Sequence, residues 1–508
     1  MRIVPAHGWE VSVLRRRWIA ALALVSVLPF LFVRIPPLTD VPGHIGRYAV
    51  ELAPSGSPML RYFAFHWVPA PNLAADLLVI PLAPLMGLVP AVWLLCAIVP
   101  VLIVGGLLML ARQRNRQGAS TLPWALLFVY NLWLFYGFLN FFLVAAVALW
   151  ALVGWTAMAD RRGWRAMLFV PLTPAMFLGH AVGASLMVVW IASVTFAESG
   201  KACPSWRALL SLWPLVGGLV PLALAPGGGG VTRWDVLDKL DAIATVLQDQ
   251  NRLLDLGSVA AALIVFAIGR VWGARLRGAN LAVVAATLVL FLAAPAVLSG
   301  ATRIDGRLLP FVPMLAFVLQ DWRAVAPSRR RWVAIAGWAL LLVRFGVTTA
   351  SFADYAESYR RELAALDHVV PGSRILNLSQ IPCRGDMWRR ARTEHLANLA
   401  TPFRQAWVNA HWTNDALQLL QVTYRPPGYA HDPSHLVVAS RCIDPAIPFD
   451  QRTRHSAAES LSRLPLDQVD YVWLVGTERL RDPPEPRLVP IWRSGGSVLY
   501  AVALNRKT

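Results

Sequence analysis

Residues 36–56, PPLTDVPGHIGRYAVELAPSG, follow an apolar run from Trp18 to Val33 that is built to cross a membrane. The stretch places Asp40, His44, Arg47 and Glu51 where the chain leaves that run. As a solvated connector it constrains the function very little. Facing a cavity at the membrane surface, it is the first place to look for chemistry.

Composition sets the class. The chain has 508 residues, 56% hydrophobic and 15% charged, with a mean hydropathy of +0.51. Soluble domains carry about 25% charged residues. The 22 Trp and 37 Pro suit interfacial anchors and interrupted helices. The net charge of +18 sits in short arginine clusters between apolar runs: RRR at 15–17, RQRNR at 112–116, RRGWR at 161–165, GRVWGARLRG at 269–278 and RRR at 329–331. Clusters of this kind keep loops cytoplasmic, so they read as topology signals and not as a nucleic-acid surface. The first apolar run lacks a small-residue cleavage site and reads as a retained span, not a signal peptide.

Apolar runs that approach the ~30 Å hydrocarbon core lie near 18–35, 91–111, 121–136, 138–158, 166–179, 181–197, 208–225, 257–272, 279–298, 309–321 and 332–350. The stretch NLAADLLVIPLAPLMG at 72–87 contains Asp76, Pro81 and Pro84. Counting it as a span would invert every later basic loop, so it reads as a helix lying at the outer interface. The expected topology has the N-terminus inside, a long outer loop over 36–90 and further outer segments at 226–256 and 299–310. In the second of these, Trp234, Leu237, Leu240, Ile243 and Leu247 recur at helical spacing, which predicts an amphipathic surface helix.

Beyond residue 352 no stretch can cross a bilayer. SRILNLSQ, DYVWLVG and SVLYAVAL are short β-branched and aromatic runs bounded by Gly, Pro and Asp, which predict strands. The expected fold is an α-helical polytopic membrane protein with about 11 transmembrane helices over 1–352, followed by an extracytoplasmic α/β domain over 353–508. Cys383 and Cys442 fall in that outer domain, where a disulfide can form; two free thiols are the alternative. Cys96 lies in a span and Cys203 in a predicted cytoplasmic loop.

Several polar positions carry possible chemistry. If the chain turns helical after Pro42, His44, Arg47, Tyr48 and Glu51 share a face, with Asp40 at its N-terminal end. A carboxylate there can take a proton, hold a cation or cap the helix. His66 and Asn72 lie further along the same loop, and His180 in FLGHAVG at a helix junction. Arg303, Asp305 and Arg307 in ATRIDGRLLP suit a phosphate group, because guanidinium pairs phosphate oxygens in a fork; an internal Arg–Asp pair is the alternative. Arg344 lies within the last apolar run, where an arginine is costly and marks a site or snorkels outward. The sequence contains no Walker loop, Gly-x-Ser-x-Gly elbow or His-Glu-x-x-His motif.

A first span, a long outer loop opening with the acid of DVPGHIGRY, and the Pro-rich helix of PAPNLAADLLVIPLAPLMG before the second span together resemble the GT-C superfamily of membrane glycosyltransferases. Short paired spans and a terminal outer domain complete the likeness, which covers roughly residues 15–350. The resemblance implies a polyprenyl-phosphate sugar donor, an envelope acceptor and inversion at the anomeric centre, on the outer face of a bacterial cytoplasmic membrane. It implies a catalytic or metal-positioning role for Asp40, with His44 beside it. Arg303, Arg307 or Arg344 would then bind the phosphate, and Arg47, Glu51, His66, Asn72, His180 and Asp305 are further candidate binding residues. Many members carry two neighbouring acids in the first loop, whereas Asp40 stands alone until Glu51; dependence on a divalent cation such as magnesium or manganese is therefore open. A non-catalytic transporter or assembly partner for envelope polysaccharide, and an O-antigen-type polymerase, are the competing readings.

Overall fold

The computed structural model describes residues 14–115, 119–200, 205–226, 230–383, 388–389, 391–413, 419–478 and 485–503. About 61% of it is helical. The chain forms two compact units. One holds the described residues through Phe32 together with Pro69–Leu78 and Leu94–Ala350; the other holds Val33–Val68, Val79–Trp93 and the described residues from Ser351 onward. A linear boundary at 352 assigns the 36–90 loop to the helical domain, whereas by compactness most of it belongs with the sheet.

Among the described residues, five helices are long and apolar enough to cross a membrane: Leu88–Arg114, Leu139–Ala157, Ala181–Glu198, Arg252–Val271 and Pro327–His368. Of the other six expected spans, 166–179 lies in the 18-residue helix Arg162–Gly179, which is not among the five, and the rest are shorter or interrupted. The first is a ten-residue helix, Arg16–Val25, followed by a 3-10 turn at Leu28–Phe32. The run at 121–136 splits into Leu122–Leu126 and Leu132–Tyr136. Asn131 starts the second piece by accepting the N–H groups of Trp133 and Leu134, a cap that apolar periodicity does not reveal. The run at 309–321 is helical only over Phe311–Leu319. Helix Ala74–Met86 has 13 residues and spans about 20 Å at ~1.5 Å per residue, short of the hydrocarbon core. In the 226–256 segment, Asp235 caps helix Val236–Thr245. Its residues Leu237, Leu240 and Ile243 are exposed, while Lys239 and Ala242 are buried.

The second unit is built on a six-stranded mixed sheet. Strand Arg374–Ile381 pairs in parallel with Trp407–Val408, Leu436–Val438 and Tyr471–Val475. Ser497–Val502 continues the sheet antiparallel to Tyr471–Val475, with Leu488–Ser494 at the edge. Side chains alternate across the central strands as the two-residue period requires. Leu376, Leu378, Val472 and Leu474 enter one core with Val50, Met59 and Phe63 of the 36–68 segment. Ile375, Trp473 and Val475 enter the other with Ala365, Leu366 and Val408. Burial on both faces explains why these strands read as near-continuous apolar runs. Phe63–Phe65 also pairs antiparallel with Leu420–Val422, so this part of the 36–90 loop belongs to the unit's structure. Cys383 and Cys442 are joined, with Cα atoms 5.8 Å apart; Cys96 is buried, and Cys203 lies outside the described residues.

One charge pair ties the starts of the two central strands Arg374–Ile381 and Tyr471–Val475. Arg374 donates through Nη2 and Nε to Asp470 at 2.6 and 3.0 Å, and its backbone N–H reaches the same carboxylate at 2.8 Å. Burial raises the Asp470 carboxyl, but the bonds from Arg374 outweigh it and the net shift is downward. A depressed folded-state value contributes stability above the unfolded carboxyl's range and loses it as pH falls through the folded value. Asp470→Asn is expected to cost about 1 kcal/mol at pH 7, the pair being partly screened by solvent. Its cost should shrink on acidification, which thermal unfolding of the full chain at pH 7 and in mild acid will show. An equal loss at both pH values would remove the ionic contribution.

Candidate functional site

Asp40 stands at the N-terminal end of helix Val41–Glu51, where Pro42 fits the first turn because its missing N–H would be unbonded there anyway. Capping is the ordinary role for an acid at this position. Asp40 does not take it: its side chain makes no cap bond. Instead Oδ1 lies 3.9 Å from Nε2 of His395, with the Asp40 side chain 18% exposed and that of His395 7%. The helix reaches this position through two glycines. A Cβ on Gly43 would stand 2.4 Å from the Trp412 ring, and one on Gly46 would stand 2.7 Å from His411 and 2.8 Å from the Asn398 carbonyl. Only a bare Cα permits that approach. Arg392 braces the entry, donating from Nη1 to the Pro37 carbonyl at 3.1 Å above the ring of Tyr355.

Around Asp40 the side chains form an aromatic and imidazole wall. His44 packs on Tyr48 and on Trp412, with ring centres 6.0 and 5.4 Å apart. Trp412 in turn meets His395 at 4.6 Å, and His395 meets His435 at 5.2 Å. Arg47 is buried with its guanidinium 5.1 Å from the Tyr48 ring centre. His435 is set by the sheet: its carbonyl accepts the Ser379 N–H at 2.7 Å, just before Leu436–Val438 joins the C-terminal end of strand Arg374–Ile381. Asp432 comes from the same turn, its N–H bonded to the His411 carbonyl. A ring nitrogen from His395, one from His435 and an oxygen of Asp432 all lie within 4.8 Å of one another.

Burial dominates the electrostatics here. It pulls the His395 imidazole down to about 4, with the Ala410 carbonyl opposing, and holds His435 well below its ordinary value. It pushes the Asp432 carboxyl up to about 6. His411 is pulled down to about 3 by burial and by neighbouring His395; its Nε2 is 2.9 Å from the Thr401 hydroxyl, which itself donates to the Ala406 carbonyl. Both cluster histidines are therefore neutral near pH 7, the state in which an imidazole nitrogen offers a lone pair.

The other expected binding residues divide. Glu51 and the exposed His66 belong to the same unit as Asp40. Asn72, His180, Arg303, Asp305, Arg307 and Arg344 belong to the helical unit, and four of these are used by the fold. Asn72 accepts from Asn140, which also caps helix Ala74–Met86 through the Ala75 N–H. His180 Nδ1 accepts the Gly183 N–H and starts helix Ala181–Glu198. Asp305 accepts from Lys239 Nζ at 2.9 Å, and the same ammonium reaches the Phe291 and Ala294 carbonyls. Arg344 donates to Asp255 at 2.7 Å and to the Leu247 carbonyl at 2.9 Å. These partners give Arg344, Asp305, His180 and Asn72 structural roles within the helical unit. Arg303 and Arg307 lie over the rings of Tyr136 and Phe138 at 4.6 and 3.7 Å.

Sequence reading passed over His395, Asp432 and His435. HDPSH at 431–435 holds an Asp and a His three residues apart, a spacing that suits a shared ligand on a turn, but His395 is brought to it only by folding. Among the described residues, the group of three or more ligating side chains within reach of one ion is His395, Asp432 and His435, and it does not include Asp40 or His44. A groove of about 500 Å³ in the same unit is lined by Arg34, Ala49, Leu52, Met59, Pro402 and Phe403. It follows the other end of helix Val41–Glu51 and does not include Asp40.

The sequence matches no protein-family model, and no curated protein or solved structure matches the chain.

Proposed function

We propose that this chain is a membrane glycosyltransferase that transfers a sugar from a polyprenyl-phosphate donor to an envelope acceptor on the outer face of the cytoplasmic membrane. Asp40 is the base. The acceptor oxygen attacks the anomeric carbon, the bond from that carbon to the phosphate oxygen breaks, polyprenyl phosphate leaves, and the acceptor proton passes to the Asp40 carboxylate. The observation that supports this reading is the Asp40 side chain, which stands at a capping position, makes no cap and lies partly exposed beside buried His395. Its support is that contact and not the groove at the far end of the helix. The Trp412 ring beside His395 offers the flat apolar face on which a sugar ring can rest.

The test is an envelope glycan profile. A strain lacking the chain should lose a defined sugar modification, and expression of the wild-type protein should restore it. Membranes from the restored strain should move label from a polyprenyl-phosphate sugar pool to the acceptor fraction. An unchanged glycan profile in the null strain sinks the reading in that host.

A further inference from the structure

We propose that His395, Asp432 and His435 bind a first-row divalent cation of the zinc class in the sheet-bearing unit. The ligand set is two imidazoles and one carboxylate, with donor atoms within 4.8 Å of one another. Asp432 and His435 come from the turn that leads into strand Leu436–Val438, beside the carboxyl-terminal half of the parallel strand Arg374–Ile381.

A second observation points to the ligand. Nδ1 of His395 and Nδ1 of His435 are both buried without a hydrogen-bond partner. For His435 the tautomer follows from its neighbours. Nε2 faces the Glu394 carbonyl at 2.9 Å, and a carbonyl only accepts, so Nε2 carries the proton and Nδ1 the lone pair. That lone pair lies 3.7 Å from Oδ1 of Asp432. Two electron-rich atoms thus face each other, too far apart for a hydrogen bond. The separation is close to that of two ligands each about 2 Å from one ion. The Nε2–H bond to a backbone carbonyl is also the support that metal-bound histidines use to fix ring orientation.

Imidazole ligands select zinc, copper or nickel over magnesium and calcium, which prefer all-oxygen shells. Three protein ligands leave a tetrahedral ion one open position, the arrangement of zinc centres that act on a bound molecule. Asp40 borders the site through its contact with His395. The site stands on ligand geometry alone and does not rest on glycosyl transfer.

The experiment uses tag-free, full-length protein in detergent, stripped with a chelator and desalted. Zn2+ uptake is read by elemental analysis, Co2+ uptake by the visible bands of a tetrahedral ion, and thermal unfolding is followed with and without Zn2+. Wild type should take up about one equivalent per chain, and Zn2+ should raise its unfolding temperature, because the ion binds only the folded state. Asp432→Asn keeps the side-chain shape and should weaken Zn2+ binding at least tenfold, while unfolding near the wild-type temperature without metal. His435→Gln should lose the tetrahedral Co2+ bands. Wild-type uptake no greater than that of the Asp432→Asn/His435→Gln double variant would overturn the proposal. So would wild-type affinity in Asp432→Asn, or tighter binding of Mg2+ than of Zn2+.

Discussion

Asp40→Asn is expected to lower the rate of sugar transfer by about 10²–10⁴-fold at neutral pH, the usual contribution of a positioned general base. The amide keeps the size of the side chain but cannot take the acceptor proton. Helix Val41–Glu51 loses no capping bond in the exchange, since Asp40 makes none. The loss should therefore fall on kcat, with KM for the lipid-linked donor and the unfolding temperature little changed. A purely structural Asp40 would give the opposite pattern: transfer at the wild-type rate and a stability change typical of a cap, about 1 kcal/mol. Initial rates and thermal unfolding on the same preparation separate the two. Wild-type transfer by Asp40→Asn ends its role as base without bearing on the metal site.

The second large effect concerns the helical unit. Arg344→Leu is expected to destabilise it by about 3–5 kcal/mol, because Asp255 would remain charged and buried without its partner. Arg344 and Asp255 are 5% and 2% exposed, and Asp255 also accepts the Asp249 N–H at 2.8 Å. Arg344→Leu combined with Asp255→Leu should recover part of the loss, since the unpaired charge is gone. Recovery should be incomplete, because the Leu247 carbonyl and the Asp249 N–H lose their partners as well. Arg344→Lys should fall between, keeping the charge but not the two-pronged contact. Detergent-solubilised unfolding of wild type, Arg344→Leu, Asp255→Leu and the double variant provides the cycle, with Arg344→Lys measured beside them. A double variant no more stable than Arg344→Leu would show that the ion pair is not the source of the effect.

The substitutions separate two uses of charge that look alike in sequence. Arg344 and Arg303 were equal candidates for a phosphate. Arg344 is committed to Asp255 and to a backbone carbonyl, whereas Arg303 is exposed over Tyr136. For ATRIDGRLLP the alternative to a phosphate site is an internal Arg–Asp pair, and for an arginine within an apolar run it is snorkelling. The partners that Asp305 and Arg344 found were Lys239 and Asp255, which neither alternative named.

What the sequence by itself determined is whatever is written locally. Apolar runs such as 91–111 and 138–158 are long and uninterrupted, so helices long enough to cross a membrane follow from composition and length. The strands of SRILNLSQ, DYVWLVG and SVLYAVAL show as β-branched and aromatic runs between turn residues, and each contains a strand of the sheet. The amphipathic helix at Val236–Thr245 shows as a 3.6-residue period. Interrupted runs were legible only as apolar, because a cap at Asn131 or a 3-10 turn at Leu28–Phe32 leaves hydropathy unchanged. Tertiary structure alone decided how charges and lone pairs were matched. Asp255 with Arg344, Lys239 with Asp305, and Asp40 with His395 are pairs distant in sequence. The first two are paired because an isolated buried charge is too costly to keep, and for all three no local period records which partner the fold will supply. The same holds for His395, Asp432 and His435. Residues 431–435 carry two of the ligands, and the third comes from the 391–413 segment, which packs against helix Val41–Glu51 at Gly43 and Gly46.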